Sequence, residues 1–219
     1  MRIDSHHSFS ERYPLAHLGT ILGRNRFDGS VLIAEDPSAA TCEFVRGIVI
    51  RDDLSDYRRL DAWQRDARFR GVCCTLSNRV ANGLAELEQR GLTLDVLGGL
   101  DLIPQIVARF PRLRIVIDHL GSPGSDAWAG DLERAAECPL VCCKLSGLTG
   151  IQPSPQPYVR HALAIFGPRR LMFGSDWPAW LPETTWKAAL ATFTQAIGAQ
   201  AIETREELLG GTAERFYAL

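Results

Sequence analysis

Residues that could perform catalysis stand at or near the ends of four apolar runs in the sequence. His6 ends the first of these runs and Asp176 follows the last. A carboxylate such as Asp176 can take a proton from water and make that water a nucleophile toward a carbonyl carbon. The imidazoles of His6 and His119 and the ammonium of Lys144 can stabilise the oxyanion that then forms. Alternatively, His6, His119 and Asp176 could hold a divalent metal ion such as zinc and leave one position open for water.

These residues are distant in sequence, so they need a fold that brings the ends of several runs together. Eight short apolar runs bounded by turn residues predict eight strands. Most of the runs are continuous rather than alternating, which is typical of parallel strands buried on both faces. The predicted strands are Arg2–His6, Ser30–Ala34, Phe44–Ile50, Arg70–Leu76, Leu92–Leu97, Leu113–His119, Leu140–Ser146 and Leu171–Ser175.

The segments between the runs mostly have helical patterns. The predicted helices are Leu15–Arg24, Arg58–Arg68, Asn78–Arg90, Asp101–Phe110, Trp128–Glu137, Tyr158–Phe166, Glu183–Ile197 and a carboxyl-terminal helix or helix pair over Arg205–Phe216. Repeated β-α alternation predicts an α/β fold, a closed (β/α)8 TIM barrel, whose active site lies at the carboxyl ends of the strands.

The length makes this barrel a compact one. The chain has 219 residues, about 27 for each unit, whereas a typical barrel has roughly 250 residues. Residues 35–43, between the second and third strands, are too few for a full crossover helix, which needs about 10–12 residues with its loops. Either this connection is a rudimentary turn or one of the strand assignments is wrong. We predict a single domain over residues 1–219 with a shortened or missing second helix.

Composition excludes several classes of protein. The 24 Lys and Arg against 26 Asp and Glu leave a net charge of −2, which disfavours nucleic acid as a partner. No stretch approaches the roughly 18–20 apolar residues of a membrane span, and the first residues lack a secretory pattern. A cytoplasmic protein with a small-molecule substrate is the expectation, and a homodimer is left open. The six cysteines lack metal-site spacing and are expected to be reduced core residues.

Several motifs, taken together and in this order, carry a family resemblance. They are IDSHH at 3–7, DHLG at 118–121, CKLSG at 143–147, FGSDWP at 173–178 and GGTAERFYAL at 210–219. With them the chain resembles the amidohydrolase superfamily, in particular the amidohydrolase-related branch of sugar lactonases and pyrone-dicarboxylate lactonases. The resemblance implies that Asp176 activates water and that His6 and His119 belong to the same site.

The chain departs from the family pattern at its first strand. The family's second strand-one histidine would fall at position 8, where this chain has Ser8. The neighbouring His7 should point to the opposite face, unless a slip or bulge turns it inward. Because some lactonases of this branch work without metal, we expect metal-independent hydrolysis with no cofactor, and zinc binding weakened by Ser8.

Other strand ends supply expected contacts to the substrate. Relatives offer a basic residue from the fourth strand, but here that strand reads GVCCTL, with Arg79 just beyond it. We predict Lys144, Ser8, Cys74, Arg79 and Trp177 as substrate-binding residues. A buried lysine is costly unless it is paired, so Lys144 is expected either in the site or paired with a strand-end acid. Asp118, which precedes His119, is expected to point away from the barrel interior.

The predicted function is hydrolysis of a small cyclic ester, a lactone, or of a related carbonyl compound. Two alternatives stay open. One is a carboxy-lyase or other non-hydrolytic enzyme acting on a small organic acid, which the loss of a metal-binding histidine disfavours. The other is a non-catalytic barrel that binds a small molecule, which the altered first strand and the trimmed second helix favour.

Overall fold

The fold is described by a computed structural model that covers residues 1–76, 81–181 and 183–219. Eight strands form one parallel sheet in sequence order. They are β1 (Ile3–His7), β2 (Gly29–Ala34), β3 (Val45–Arg51), β4 (Phe69–Cys74), β5 (Thr93–Val96), β6 (Arg114–Ile117), β7 (Val141–Leu145) and β8 (Leu171–Phe173). Every predicted strand is confirmed to within two residues at each end.

Helices follow most of the strands. They are α1 (Leu15–Arg24), α2 (Arg59–Trp63), α3 (Ala81–Arg90), α4 (Ile103–Arg109), α5 (Trp128–Ala136), α6 (Gln156–Phe166), α7 (Trp186–Ile197), α8 (Ile202–Glu206) and α9 (Thr212–Tyr217). Over the described ranges, none of the helices has the length and apolar character to cross a membrane.

The sheet closes on itself where the chain leaves β8. The backbone N–H of Asp176 donates to the carbonyl of His6 at 2.9 Å, and the N–H of Ser8 donates to the carbonyl of Trp177 at 2.8 Å. These bonds join the extension of β8 to β1, the first strand. The predicted (β/α)8 TIM barrel is therefore confirmed.

The second connection is as short as predicted. Between β2 and β3 the chain forms a single 3-10 turn, Pro37–Ala39, whose amino end is capped by Asp36 through its bond from the Ser38 N–H at 2.8 Å. The next helix, α2, is also shorter than the predicted Arg58–Arg68. Its continuation is replaced by a turn in which Asp66 accepts from the Arg68 N–H at 2.9 Å. Such side-chain bonds to nearby backbone compete with helix formation.

The sheet packs against one hydrophobic layer inside the barrel and another between the strands and the helices. The outer layer packs the strands against the helices. The inner layer fills the barrel and consists of Ile3, Val31, Ile33, Val49, Cys73, Val116, Cys142 and Met172, together with Ala213 and Tyr217 of α9. Side chains of a strand alternate between faces, so the cysteine doublets are split: Cys73 and Cys142 face inward, whereas Cys74 and Cys143 lie in the outer layer. All six cysteines are free, as expected.

Candidate active site

A shift of register in β1 turns His6 into the barrel. Asp4 pairs with Ser30 of β2, but His7 pairs with Leu32, so β1 contains one more residue than β2 over this stretch. An extra residue of this kind re-aims the side chains that follow it. His6 is consequently buried in the interior, where its Nδ1 lies 3.4 Å from Asp118.

The same shift leaves His7 on the outside of the sheet. Its Nε2 lies 2.8 Å from the Ser30 hydroxyl, and its ring lies 6.5 Å from that of Phe44. His7 is fully buried in this position. The structure therefore does not bring His7 to the site in place of the absent histidine.

His119 enters the site from a turn rather than from a strand. β6 ends at Ile117, and both His119 (φ 50°) and Leu120 (φ 54°) adopt the left-handed conformation. Ser146, which follows β7, fixes the turn: its hydroxyl accepts from the His119 N–H at 3.2 Å and lies 2.9 Å from His119 Nδ1. The His119 ring packs edge-on against His6 with centroids 4.5 Å apart.

Asp176 completes the cluster from the extension of β8. It too is left-handed, with φ 58°. Its Oδ2 accepts a hydrogen bond from the indole N–H of Trp180 at 2.8 Å. Its Oδ1 lies 3.8 Å from His6 Nε2, and its Oδ2 lies 3.9 Å from His119 Nδ1. The three residues predicted to be catalytic thus converge at one point on the barrel.

Beneath this cluster lies a fully buried ionic network centred on Lys144. Its ammonium lies 2.6 Å from Asp95 Oδ2 and 2.9 Å from Asp118 Oδ1, and it also approaches His6 Nδ1 to 3.3 Å. Lys144 is therefore paired with acids, one of the two outcomes left open by the sequence. Within the cluster, its ammonium contacts the His6 ring.

The expectation that Asp118 points away from the interior is wrong. Its carboxylate lies inside the barrel, between Lys144 and His6, with the Cys73 thiol at 3.5 Å from Oδ2. The expectation assumed that His119 continued β6 and pointed inward. Because β6 ends at Ile117, alternation from the inward Val116 places Asp118 inward, and the left-handed turn then delivers His119.

Burial and charge set the protonation of these groups. Burial lowers the pKa of His6 to about 3, so its imidazole is neutral. Burial also raises the pKa of Asp176 and raises that of Asp95 to about 6 against the pull of Lys144. Burial by itself would also raise the pKa of Asp118. The Lys144 ammonium and His6 nevertheless hold that pKa well below its usual range.

Three donor atoms of the cluster are close enough to share a metal ion. One from each of His6, His119 and Asp176 lie within 4.8 Å of one another. Two imidazoles and a carboxylate suit zinc, and a catalytic site of three protein ligands keeps a position for water. Asp118 lies behind His6 as the carboxylate that often orients a metal-binding histidine. The donor set of this chain therefore fits a divalent ion.

The predicted substrate-binding residues lie in different places. Ser8 is partly exposed at the end of β1, next to the closure with β8. The indole of Trp177 is buried in the outer layer, with its ring 6.3 Å from that of Tyr13. Cys74 also lies in that layer, so the structure does not bring Cys74 or the indole of Trp177 to the cluster of His6, His119 and Asp176. Arg79 lies outside the described residues.

Four residues of the site were not singled out from the sequence: Asp95, Ser146, Trp180 in its bond to Asp176, and Tyr217. Asp95 carries a signal that could have been used, because it is a charged residue within the apolar run TLDV. Tyr217 lies within the motif at 210–219, but no local signal indicates that its hydroxyl reaches Asp95, 122 positions away.

A cavity of about 350 Å³ lies beside the cluster, between the loops that follow β7 and β8. Leu148, Thr149 and Gln152 line it from one loop, and Trp180 and Glu183 line it from the other. Trp180 also donates to Asp176, so it connects the wall of this cavity to the carboxylate. The cavity offers polar groups and an aromatic face to a small molecule.

Comparison with known proteins gives consistent matches along most of the chain. The model of the family described as Amidohydrolase matches residues 34–219. Two curated proteins called L-fucono-1,5-lactonase are similar. The protein from Burkholderia ambifaria is 36% identical over 138 residues, 52% of this chain and 48% of that protein. The protein from Burkholderia multivorans is 32% identical over 194 residues, 77% of this chain and 62% of that protein. The chain thus spans about half to three fifths of the length of these relatives.

Two solved structures match over nearly their whole length. An amidohydrolase from Burkholderia multivorans, crystallised with bound zinc, has a TM-score of 0.86 at 24% identity, over 100% of this chain and 99% of that chain. This likeness shows the fold. A putative 2-pyrone-4,6-dicarboxylic acid hydrolase from Pseudomonas putida has a TM-score of 0.77 at 26% identity, over 99% of this chain and 97% of that chain.

Proposed function

We propose that this chain, which belongs to the amidohydrolase family, hydrolyses a small lactone with Asp176 as the general base. The observation that carries the proposal is the convergence of Asp176, His6 and His119, with carboxylate-to-imidazole distances of 3.8 and 3.9 Å. The lactonases among its relatives favour this reaction. Because the chain spans only part of their length, the match by itself does not assign their activity to this chain.

In the first step Asp176 takes a proton from water while the water oxygen bonds to the lactone carbonyl carbon. The raised pKa of Asp176, a result of its burial, makes the carboxylate a stronger base than an exposed one. Trp180 holds one carboxylate oxygen through its N–H. The other oxygen, Oδ1, is then the one available to take the proton.

The imidazoles stabilise the oxyanion formed in that step. Lys144 approaches His6 Nδ1 and can only donate, which favours a proton on Nε2, the nitrogen of the neutral ring that faces Asp176. An N–H in this position can donate to the oxyanion. Collapse of the tetrahedral intermediate then breaks the ring C–O bond, and the leaving oxygen takes the proton held by Asp176. The product is the open hydroxy acid.

A divalent ion held by His6, His119 and Asp176 would polarise the carbonyl group and lower the pKa of water. We nevertheless propose that hydrolysis does not require it. Ser8 stands where the family pattern has a further histidine, and the contact of Lys144 with His6 Nδ1 favours the tautomer whose Nε2 carries a proton and does not bind metal.

For the substrate we propose the lactone of a sugar acid. Such a molecule carries hydroxyl groups around a ring, which suits the polar side chains and the Trp180 face of the adjacent cavity. The volume of the cavity, about 350 Å³, suits a small molecule.

Replacing Asp176 by Asn tests the assignment of the base. The amide keeps the size of the side chain but cannot take the proton, so we expect kcat for L-fucono-1,5-lactone or a related 1,5-lactone to fall by about 10² to 10⁴. Asp126→Asn makes the same change on the exposed surface and should leave kcat unchanged. Full activity in Asp176→Asn would show that another group is the base.

The carboxy-lyase and the non-catalytic barrel remain alternatives that the same assays separate. A carboxy-lyase would release carbon dioxide from a small organic acid and leave lactones intact. A binding barrel would gain thermal stability from a ligand without forming product.

A further inference from the structure

The carboxyl-terminal helix α9 closes the barrel at the end opposite the candidate active site. Arg114, the first residue of β6, donates to the carbonyl of Phe216 at 2.8 Å. Gly210, in the turn just before α9, packs against the backbone of Met1 and Arg2, which precede β1. These contacts place α9 across the amino-terminal ends of the strands. Tyr217, its last residue, is fully buried in the inner layer.

From this position the side chain of Tyr217 reaches into the barrel. Its hydroxyl donates to Asp95 Oδ2 at 2.6 Å, and the same oxygen accepts from Lys144 at 2.6 Å. The Lys144 ammonium lies 5.5 Å from the centre of the Tyr217 ring and continues to Asp118 and His6 at 2.9 and 3.3 Å. A continuous line of buried polar contacts thus joins the end of the chain to His6.

Each contact in this line depends on the one before it. Lys144 donates to Asp95, forms an ion pair with Asp118 and approaches His6 Nδ1. The Tyr217 hydroxyl shares the charge on Asp95 Oδ2, which limits the pull of this carboxylate on the ammonium. Without the hydroxyl, Lys144 is the only donor left to Oδ2 among the described residues. The ammonium is then drawn toward Asp95 and away from His6, because buried charge-assisted bonds are strong and sensitive to partner number.

We propose that Tyr217 is a positioning residue for the reaction. By holding Asp95, it keeps Lys144 against His6 Nδ1, and so fixes the orientation and tautomer that His6 presents to Asp176. About four noncovalent contacts, through Asp95, Lys144 and His6, separate the hydroxyl from the substrate, so Tyr217 acts only through its neighbours. This inference rests on the proposed function of the site, but its structural part can be measured without turnover.

Tyr217→Phe tests the inference, since the ring still fills the barrel and only the hydroxyl is lost. We expect kcat for the lactone to fall about tenfold with KM changed less than about twofold, because the hydroxyl supports the chemical step and not substrate binding. Tyr158→Phe makes the same change in α6, where the ring packs on Trp128, and should leave both constants unchanged.

Nitrogen NMR of the histidine side chains gives a second readout that needs no activity. The chain has five histidines, so the two ring nitrogens of His6 can be assigned by comparison with His6→Gln. We expect Tyr217→Phe to shift both nitrogens away from the pattern of a proton on Nε2, and Tyr158→Phe to leave them in place. Unchanged His6 nitrogens in Tyr217→Phe would overturn the inference.

These readouts distinguish the inference from the proposed function. If the wild-type chain hydrolyses no lactone but Tyr217→Phe still shifts the His6 nitrogens, the proposed function fails and the link between Tyr217 and His6 stands. If lactone turnover is present and Tyr217→Phe changes neither kcat nor the nitrogens, the link fails and the function stands.

The reciprocal measurement does not depend on the folding of Tyr217→Phe. The buried hydroxyl proton of Tyr217 is shielded from water and should give a separate downfield signal. Coupling between two sites is mutual, so His6→Gln should move this signal, whereas His161→Gln in α6 should not. A Tyr217 signal that stays in place in His6→Gln would contradict the inference.

Discussion

His6 lies between two groups that favour different positions for its ring proton. Lys144 approaches Nδ1 at 3.3 Å and can only donate, which favours a proton on Nε2. Asp118 Oδ1 lies 3.4 Å from the same nitrogen and can only accept, which favours a proton on Nδ1. The first tautomer can donate to an oxyanion, and the second can bind a metal ion through Nε2.

The metal requirement follows from which of these tautomers the active protein uses. With the proton on Nε2, we expect turnover of the lactone to change less than about threefold after removal of metal by a chelator, since Asp176 still accepts the proton from water. Metal content and kcat should be measured on the same samples before chelation, after it, and after zinc is added back. Stoichiometric zinc, with activity lost on chelation and restored by zinc, would contradict metal-independent hydrolysis.

The neutral state of His6 also makes stability depend on pH. Its pKa is about 3 in the folded protein against an ordinary 6.5, because of burial, so below pH 6.5 the unfolded chain takes up a proton that the folded chain does not. Stability from this group is therefore complete above pH 6.5 and is lost as the pH falls toward 3, by up to about 1.4 kcal/mol per pH unit.

Urea unfolding of the wild type and of His6→Gln at pH 7 and pH 5 measures this effect. We expect the wild type to lose about 2 kcal/mol relative to His6→Gln over this interval. The comparison cancels opposing groups such as Asp95, whose raised pKa stabilises the fold as the pH falls. His17→Gln, at an exposed histidine of α1, should show a pH dependence equal to that of the wild type. A constant gap between wild type and His6→Gln would show that His6 takes up its proton as readily in the folded protein as in the unfolded chain.

At the scale of elements, the site is assembled by the segments that follow the strands more than by the strands themselves. His119, Leu120 and Asp176 are left-handed, a conformation that non-glycine residues adopt rarely and that is found at functional sites. Each of these turns is held by a bond from a neighbouring element, such as the bond of the Asp176 N–H to His6. The sheet determines the distance between strand ends, and the turns aim the side chains.

The start of α7 supports the turn that contains Asp176. Trp186, its first residue, donates through its indole N–H to Asp4 Oδ2 at 2.7 Å, and Asp4 Oδ1 accepts from the Ser175 N–H at 2.8 Å. Thr185 caps the helix through its hydroxyl, which accepts from the Ala188 N–H at 3.1 Å. The helix, the first strand and the turn are thereby connected.

Thr185→Ala should lower the free energy of unfolding by about 1 kcal/mol, because the first turn of α7 loses its side-chain acceptor. Urea unfolding measures the loss. Thr194→Ala removes a hydroxyl from the same helix that, among the described residues, bonds only the Leu190 carbonyl, so it should change stability by less than about 0.5 kcal/mol. Equal effects of the two changes would argue against a capping role for Thr185.

At the scale of the whole molecule, the barrel is complete in its strands and reduced in its helices. The connection over residues 35–44 has only the turn Pro37–Ala39, yet β2 pairs with β1 and β3 along its length. Strand pairing and the inner layer thus close the barrel without a second crossover helix. A cavity of about 720 Å³ lies beside that turn, between it and α2. The homodimer and the cytoplasmic location stay predictions.

A single domain over residues 1–219 also stays a prediction, and calorimetry tests it. The inner layer is shared by β1, β2, β3, β4, β6, β7, β8 and α9. We therefore expect one unfolding transition whose calorimetric and van't Hoff enthalpies agree. Two resolved transitions, one of them removed by a change confined to either half of the chain, would show two independent units.

The sequence alone was sufficient for the strands and the fold. It also indicated which three residues come together, and their catalytic role stays a prediction. Apolar runs and turn residues are local signals, and they placed all eight strands to within two residues of their observed bounds. The short stretch after β2 predicted its missing helix from length alone. Motif order then indicated that His6, His119 and Asp176 share a site, and the fold brings them together. Alternation of side chains also assigned His7 to the outside of the sheet, which the structure bears out.

Only the tertiary structure decided how these residues are supported. The shift of register in β1 depends on its pairing with β2, and the direction of Asp118 depends on where β6 gives way to a turn. Tyr217 meets Asp95 across 122 positions of sequence. None of these contacts follows from a periodicity of two or of 3.6 residues. They arise because a closed barrel forces charged groups from distant strands into one small buried volume, where each must find a partner.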